Sequence, residues 1–264
     1  MDVMQKRVDR LSALIDRFRI DASVLHAPLA GRAASCVNLF LITEGMAEQV
    51  SRPRWLVFRT GGAPTGGVSV PPEGDVAVAA RVDLGGEGSP LAMALPAEVR
   101  VDLEDAPALA AVSTVLLEEV ERPRCGGKAI VDRLCEIVVI RFLRHAIETG
   151  RAENGLIAGL GHPQIMLALV AMHEAPERRW KLEDLAGLCG MSRTAFATTF
   201  RDVVGRTPGA YLQDWRLGIA RQEIGRGGSL KTVAGRVGFS SAAAFSRAFS
   251  RQFGHAPSAC ARAG

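Results

Sequence analysis

The residues of this chain best suited to redox chemistry or metal ligation are five cysteines and five histidines, and their spacing argues against most of both. Cys36, Cys125, Cys135, Cys189 and Cys260 are odd in number and include no C-x-x-C pair, which disfavours a disulfide framework and a zinc ribbon. None of His26, His145, His162, His173 and His255 stands at ligand spacing from another, so no metal site is expected. Cys125 stands apart, because Arg122 and Arg124 precede it and Gly126, Gly127 and Lys128 follow. Nearby positive charge favours the reactive thiolate, which makes Cys125, with Cys36 or Cys135, a candidate sensor of oxidants or electrophiles. The simpler reading is an ordinary exposed loop cysteine.

A second set of residues is suited to binding rather than reaction. LEDLAGLCGMS (182–192) and LKTVAGRVGFS (230–240) match at an offset of 48, pairing Ala186 with Ala234, Gly190 with Gly238 and Ser192 with Ser240. The offset then becomes 49, pairing Phe196 with Phe245, Phe200 with Phe249, Gly205 with Gly254 and Pro208 with Pro257. Each copy has the logic of a helix-turn-helix: a short helix ending at a Gly, an apolar plug, and a Ser that caps a second helix. Phenylalanines four residues apart bury one face of that second helix. The faces left over carry Arg193, Thr194, Ala197, Thr198 and Arg201 in the first copy, and Ser241, Ala243, Ser246, Arg247 and Ser250 in the second. Small, hydroxylated and Arg side chains are the types that approach base edges and phosphates in a major groove.

Charge points the same way. Residues 161–264 carry 14 Lys/Arg against 7 Asp/Glu, whereas residues 1–160 carry 18 against 21. Clustered positive charge favours a polyanion, because neutralised phosphates release condensed counterions.

The elements that must position these residues follow from periodicity. Val8, Leu11, Leu14, Ile15 and Phe18 share one helical face, a lead-in helix. From Ser23 to about Val101, short apolar runs (VNLFLITEG, RWLVFRTGG, GGVSVPPEGDVAVAARVDLGGEG) alternate with Gly and Pro and predict strands of about four to seven residues in a small sandwich or barrel. Ala106–Glu121 and Gly127–Thr149 return to helical spacing. The second carries an apolar band (Ile130, Val131, Leu134, Ile137, Val138, Ile140, Phe142) that must pack under the sheet or meet another subunit. Residues 151–161 read as a linker, and 162–264 as helices broken at Gly190, Gly205, Gly227, Gly228, Gly238 and Gly254.

With 264 residues, 48% of them hydrophobic and 23% charged, the chain is long enough for two domains with cores of their own. It shows no apolar run of membrane-spanning length, and the N-terminal MDVMQKRVDR places charges where a signal peptide would be apolar, so a cytoplasmic location is expected.

Residues from about 162 to 262 resemble the DNA-binding domain of AraC/XylS-family bacterial transcription regulators, on the strength of LEDLAGLCGMSRTAFATTFRDVVGRTPGAYLQDWRLGIA and VAGRVGFSSAAAFSRAFSRQFGHAP. The resemblance implies a long joining helix over Pro208–Ile224, with Tyr211, Leu212, Trp215, Leu217 and Ile219 making its apolar contacts. It implies base-contacting positions at Thr194, Ala197 and Thr198, and at Ala243, Ser246 and Arg247, with a phosphate contact at Arg193. Arg247 is the strongest candidate for direct readout of guanine. The strand-rich half is similar to the cupin-like sensor domains of one AraC subgroup; where related sensors carry His, this chain has Asn38 and Thr65.

The fold expected is α+β: a cupin-like barrel with flanking helices (1–150, regulatory and dimerising), a linker (151–161), and an all-α double helix-turn-helix domain (162–264). The function implied is a sequence-specific activator or repressor without enzymatic chemistry or cofactor, whose partners are double-stranded promoter DNA, a second copy of the chain, RNA polymerase and an unknown small-molecule effector, with no membrane. A redox-responsive regulator acting through Cys125, a cupin-type enzyme fused to a DNA-binding domain, and a protein-docking role for the basic repeat are the alternatives.

Overall fold

The computed structural model describes residues 20–24, 37–44, 52–59, 74–84, 95, 98–150 and 154–260, together with Asp9, Leu11 and Ile15. Of the lead-in segment, Asp9, Leu11 and Ile15 are described, and the Ile15 amide donates to the Leu11 carbonyl at 2.8 Å. The rest of that expectation, with His26, Cys36 and Thr65, lies outside the described residues.

The chain divides into two compact units, one whose described parts fall within 20–149 and one whose described parts are Asp9, Leu11, Ile15 and the residues from 150 onward. In the N-terminal unit the strands are β1 (Asp21–Val24), β2 (Leu39–Glu44), β3 (Pro53–Arg59), β4 (Gly74–Asp83) and β5 (Glu98–Asp102). Among the described residues they form one antiparallel sheet, ordered β1-β4-β2-β3-β5. At ten residues β4 is longer than the spacing predicts, because it pairs with β1 over one stretch and β2 over another.

Both faces of the sheet carry apolar side chains. Phe58 meets Phe142 of the long helix at 5.5 Å between ring centroids, while its neighbour Val57 points the other way into a cluster with Val37, Phe40, Ile42 and Ala79. Arg59 and Glu98 are directly opposed across β3 and β5 and pair at 2.8 Å. The Asn38 amide bonds both backbone groups of Val82, donating to its carbonyl at 2.8 Å and accepting from its N–H at 2.7 Å. Asn38 thus extends the sheet rather than leaving a free donor.

Helices α1 (Pro107–Glu121) and α2 (Gly127–Thr149) follow, with Pro107 in the first turn of α1, where its missing N–H costs nothing. The broad apolar band of α2 divides by burial. Val131, Val138 and Phe142 are buried, whereas Ile130 and Ile137 are each 44% exposed, as is Val115 of α1 at 50%.

The C-terminal unit begins with a departure from the sequence reading. Residues 156–161, expected to belong to a linker, form α3 (Leu156–Gly161), with Leu156, Ile157 and Leu160 buried. Its Gly159 backbone lies so close to α4 (Ile165–Glu174) that a Cβ there would stand 2.5 Å from a Leu169 methyl carbon. Gly159, which reads as linker punctuation, here sits in close packing.

The start of α4 is capped by His162, whose Nδ1 accepts from the backbone N–H groups of Gln164 and Ile165, each at 3.2 Å. Near its end, buried His173 stacks on Trp215 at 3.9 Å between centroids, and its Nε2 lies 2.7 Å from the Tyr211 hydroxyl. Trp215 and Tyr211 belong to α7 (Pro208–Gly225), the joining helix, in which Tyr211, Leu212, Trp215, Leu217 and Ile219 are all buried. Thr207 caps it, its hydroxyl accepting from the Ala210 N–H at 3.3 Å.

Candidate nucleic-acid interface

The first helix-turn-helix comprises α5 (Leu182–Leu188) and α6 (Arg193–Val204); the second comprises α8 (Leu230–Arg236) and α9 (Ala242–Phe253), followed by the short α10 (Pro257–Cys260). Their turns are built alike. Gly190 and Gly238 adopt positive φ (64° and 84°), and the following amide reaches back into the first helix, Met191 N–H to Ala186 O and Phe239 N–H to Ala234 O, each at 2.9 Å. Such bonds satisfy the carbonyls that a helix C-terminus leaves open. Both second helices end at a left-handed glycine, Gly205 and Gly254.

The caps separate the two copies. Ser192 caps α6 by accepting from the Ala195 N–H at 3.3 Å, as expected. In the second copy the cap is Ser241, accepting from the Ala244 N–H at 3.1 Å, and not Ser240. The residue that changes the offset from 48 to 49 therefore sits before the cap, and the hydroxyl of Ser241, expected to face outward toward bases, is engaged in holding the helix start.

Below these caps the phenylalanines anchor the helices from inside. Phe196, Phe200, Phe245 and Phe249 are fully buried, with centroid separations of 5.5 Å and 5.6 Å within the two pairs. Phe200 also meets Tyr211 at 5.8 Å, and Phe249 meets Phe253 at 4.6 Å. Aromatic contacts of this kind fix the rotation of each helix about its own axis, and hence which residues face out.

On α6, Arg193, Thr194, Thr198 and Arg201 are exposed and Ala197 is half-buried; on α9, Ala243 and Arg247 are exposed and Ser246 and Ser250 half-buried. Arg193 does not stand alone: its guanidinium bonds the Glu183 carboxylate of α5 at 2.7 Å, which holds the Glu183 pKa below its ordinary value. A phosphate reaching Arg193 must compete with that carboxylate. Glu183 is a feature that sequence reasoning missed, although its place two residues inside α5 marks it as a first-turn acid.

A further contact ties the joining helix to the loop that precedes the first copy. Arg216 of α7 donates from Nε to the Pro176 carbonyl at 2.5 Å and from Nη2 to the Arg178 carbonyl at 2.9 Å, bracing the turn between α4 and α5. Burial lowers the Arg216 pKa, against the opposing effect of the Glu177 carboxylate. The second copy is held on α7 by Arg236, paired with Glu223 at 3.1 Å, and by Arg221 over the Phe253 ring at 4.8 Å.

The cysteines fall into different environments. Cys125 is exposed in the turn between α1 and α2, while Cys135 is buried in α2, where burial and the Asp132 and Glu136 carboxylates push its thiol up to about 12. A thiol held so far toward its protonated form offers little of the reactive thiolate near neutral pH. Cys189 is buried at the end of α5, its pKa raised by that burial. No group of three or more His, Cys, Asp or Glu that could hold a metal ion occurs among the described residues, and none of the described helices is long and apolar enough to cross a membrane.

Residues 185–263 match the helix-turn-helix domain family, and residues 42–148 match the cupin family. The HTH-type transcriptional regulator AlkR of Acinetobacter baylyi is 37% identical over 175 residues, covering 64% of this chain and 57% of its own length. The RCS-specific HTH-type transcriptional activator RclR of Escherichia coli is 35% identical over 133 residues, covering 50% of this chain and 47% of its own. Among solved structures, the DNA-binding domain of AdpA in complex with a target DNA is 32% identical, covers 38% of this chain and 91% of that one, and superposes with a TM-score of 0.35. The chain spans about half the length of the curated relatives it matches. A cupin-family region thus precedes a helix-turn-helix region, and the relatives this chain resembles are named HTH-type and AraC-like transcription regulators.

Proposed function

We propose that this protein is a cytoplasmic, sequence-specific DNA-binding transcription regulator that places α6 and α9 in successive major grooves of promoter DNA and carries out no enzymatic reaction. The observation that carries this reading is the duplicated turn: two helix-turn-helix units with the same Gly conformation, the same back-bonded amide and a capped second helix whose outer face is free of apolar cover. The contacts assigned to it are Thr194, Ala197 and Thr198 with Arg193 and Arg201 on α6, and Ala243, Ser246, Arg247 and Ser250 on α9, Ser241 acting as cap. The excess of 14 Lys/Arg over 7 Asp/Glu in residues 161–264 supplies the long-range attraction to phosphate.

In this reading residues 1–150 are the regulatory domain, which binds a small-molecule effector or a second copy of the chain. The exposed Val115, Ile130 and Ile137 on α1 and α2 support homodimerisation through those helices. Contact with RNA polymerase then makes the bound regulator an activator.

The test is selection of binding sites from a random duplex library by the full chain, followed by anisotropy titration across salt concentrations. A recovered motif with two contacted segments about one helical turn apart supports the reading. Failure to enrich any sequence, with no binding at low salt, overturns it.

A further inference from the structure

Two copies of one motif joined by one helix are free to twist about its end unless something else ties them together. In this protein something does. The turn of the second helix-turn-helix rests on the loop that leads into the first. A Cβ on Gly238 would stand 2.7 Å from the Glu177 carbonyl oxygen, 2.8 Å from the Glu177 Cα and 3.1 Å from Arg216 Nη2. The same loop is held by Arg216, through the Pro176 and Arg178 carbonyls. Gly190, the counterpart of Gly238 in the first unit, has no atom within 4 Å of such a Cβ. The two turns share their conformation, but only the second is a docking point.

The attachment through α7 is itself tight. After α7 the Gly228 amide bonds the Glu223 carbonyl at 2.9 Å, and a Cβ on Gly228 would stand 2.8 Å from that oxygen. The second unit therefore has two separate points of attachment, the α7 end and the Glu177 loop, and two points remove the rotation that one would leave.

We infer that Arg216 and Gly238 form a clamp on the Pro176–Arg178 loop that fixes the distance and angle between α6 and α9, and thereby sets the spacing of DNA half-sites the protein accepts. Arg216 is a positioning residue: it touches no DNA and acts through the loop. The argument rests on the DNA-binding reading for its consequence, but the clamp is a property of the free protein. One base pair inserted between half-sites displaces the second by about 3.4 Å and about 35°. A hinged pair would follow that displacement, whereas a clamped pair cannot.

The test has two arms on the full chain. In the first, without DNA, fluorophores are coupled to unnatural residues at Asp202 and Arg251, which are equivalent exposed positions of α6 and α9, and single-molecule energy transfer reads the distance distribution. The expected result is a single narrow distribution that broadens at least twofold in Arg216→Ala; an unchanged mean and width overturns the clamp. In the second arm, duplexes carrying the selected site are altered by one base pair between the half-sites. The native chain is expected to lose about tenfold in affinity, which is about 1.4 kcal/mol, and Arg216→Ala less than threefold, both binding a single half-site equally. Retention of the tenfold ratio in Arg216→Ala overturns the role in spacing. If no site is ever selected, the DNA-binding reading fails while the first arm still decides the clamp. Should Arg216→Ala not fold, Arg216→Gln, whose amide reaches at most one of the two carbonyls, is read in the same two arms against the same outcomes.

Discussion

Gly238 and Glu177 are packed backbone to backbone: a Cβ on the glycine would stand 2.7 Å from the Glu177 carbonyl oxygen, although 61 residues of chain separate them. Replacing Gly238 by Ala therefore adds a collision to the strain of a positive φ, which costs about 1–2 kcal/mol in its own right. Gly190→Ala meets only the second cost. Urea denaturation is expected to show Gly190→Ala destabilised by about 1–2 kcal/mol and Gly238→Ala by clearly more, since the nearest atoms it would meet are backbone.

The position of the second cap is open to a similar pairwise test. Ser241 accepts from the Ala244 N–H, whereas Ser240 is exposed and precedes the cap. Ser241→Ala is expected to lower stability by about 1 kcal/mol, while Ser240→Ala stays within about 0.5 kcal/mol of the native chain.

Burial sets a pH dependence through His173. Enclosed against Trp215 and Tyr211, its imidazole is pushed down to about 3 from the ordinary 6.5. The unfolded chain thus takes up this proton at higher pH than the folded one. The contribution of His173 is complete above pH 6.5 and is lost as pH falls toward 3, at about 1.4 kcal/mol per unit. Denaturation at intervals from pH 7 to 4.5 should show this slope in the native chain and a flatter one in His173→Phe.

If α6 and α9 read DNA, their two exposed arginines should behave differently. Arg247, opposite base edges in this reading, is expected to cost about 1–3 kcal/mol on the selected site when changed to Ala, and to relax preference at one base pair. Arg201→Ala, removing a phosphate contact, should weaken selected and random duplexes alike and reduce the salt slope by about one. Anisotropy titrations on both duplexes separate the two patterns.

Thiol reactivity should follow the environments of Cys125 and Cys135. Iodoacetamide at pH 7.5 is expected to alkylate exposed Cys125 in the native protein and to spare Cys135, which is buried with its thiol near 12, until denaturant is added. Mass spectrometry of the digested protein reads both sites at once.

What the sequence by itself determined was everything encoded in local spacing. The Phe pairs at i and i+4, the turn glycines and the Pro that opens the joining helix are each local requirements of a helix start, a helix end or a buried face, so they place α5 to α9 and the residues left outside. The helices α1 and α2 were legible for the same reason, as were β2, β3 and β4, apart from the length of β4, which depends on having two partners, whereas β1 and β5 lie outside the apolar runs. Three things were decided by tertiary structure. Residues 156–161 are helical because Leu156, Ile157 and Leu160 find a core, which glycine-rich composition cannot announce. Ser241 rather than Ser240 caps α9, because the buried Phe245 fixes the register of the helix and with it the residue standing at its start. Finally, Gly190 and Gly238 match in the repeat and share one backbone conformation, yet only Gly238 lies against another turn. That difference arises from how α7 folds the second copy back onto the Pro176–Arg178 loop, a contact between distant segments that no periodicity within either copy records.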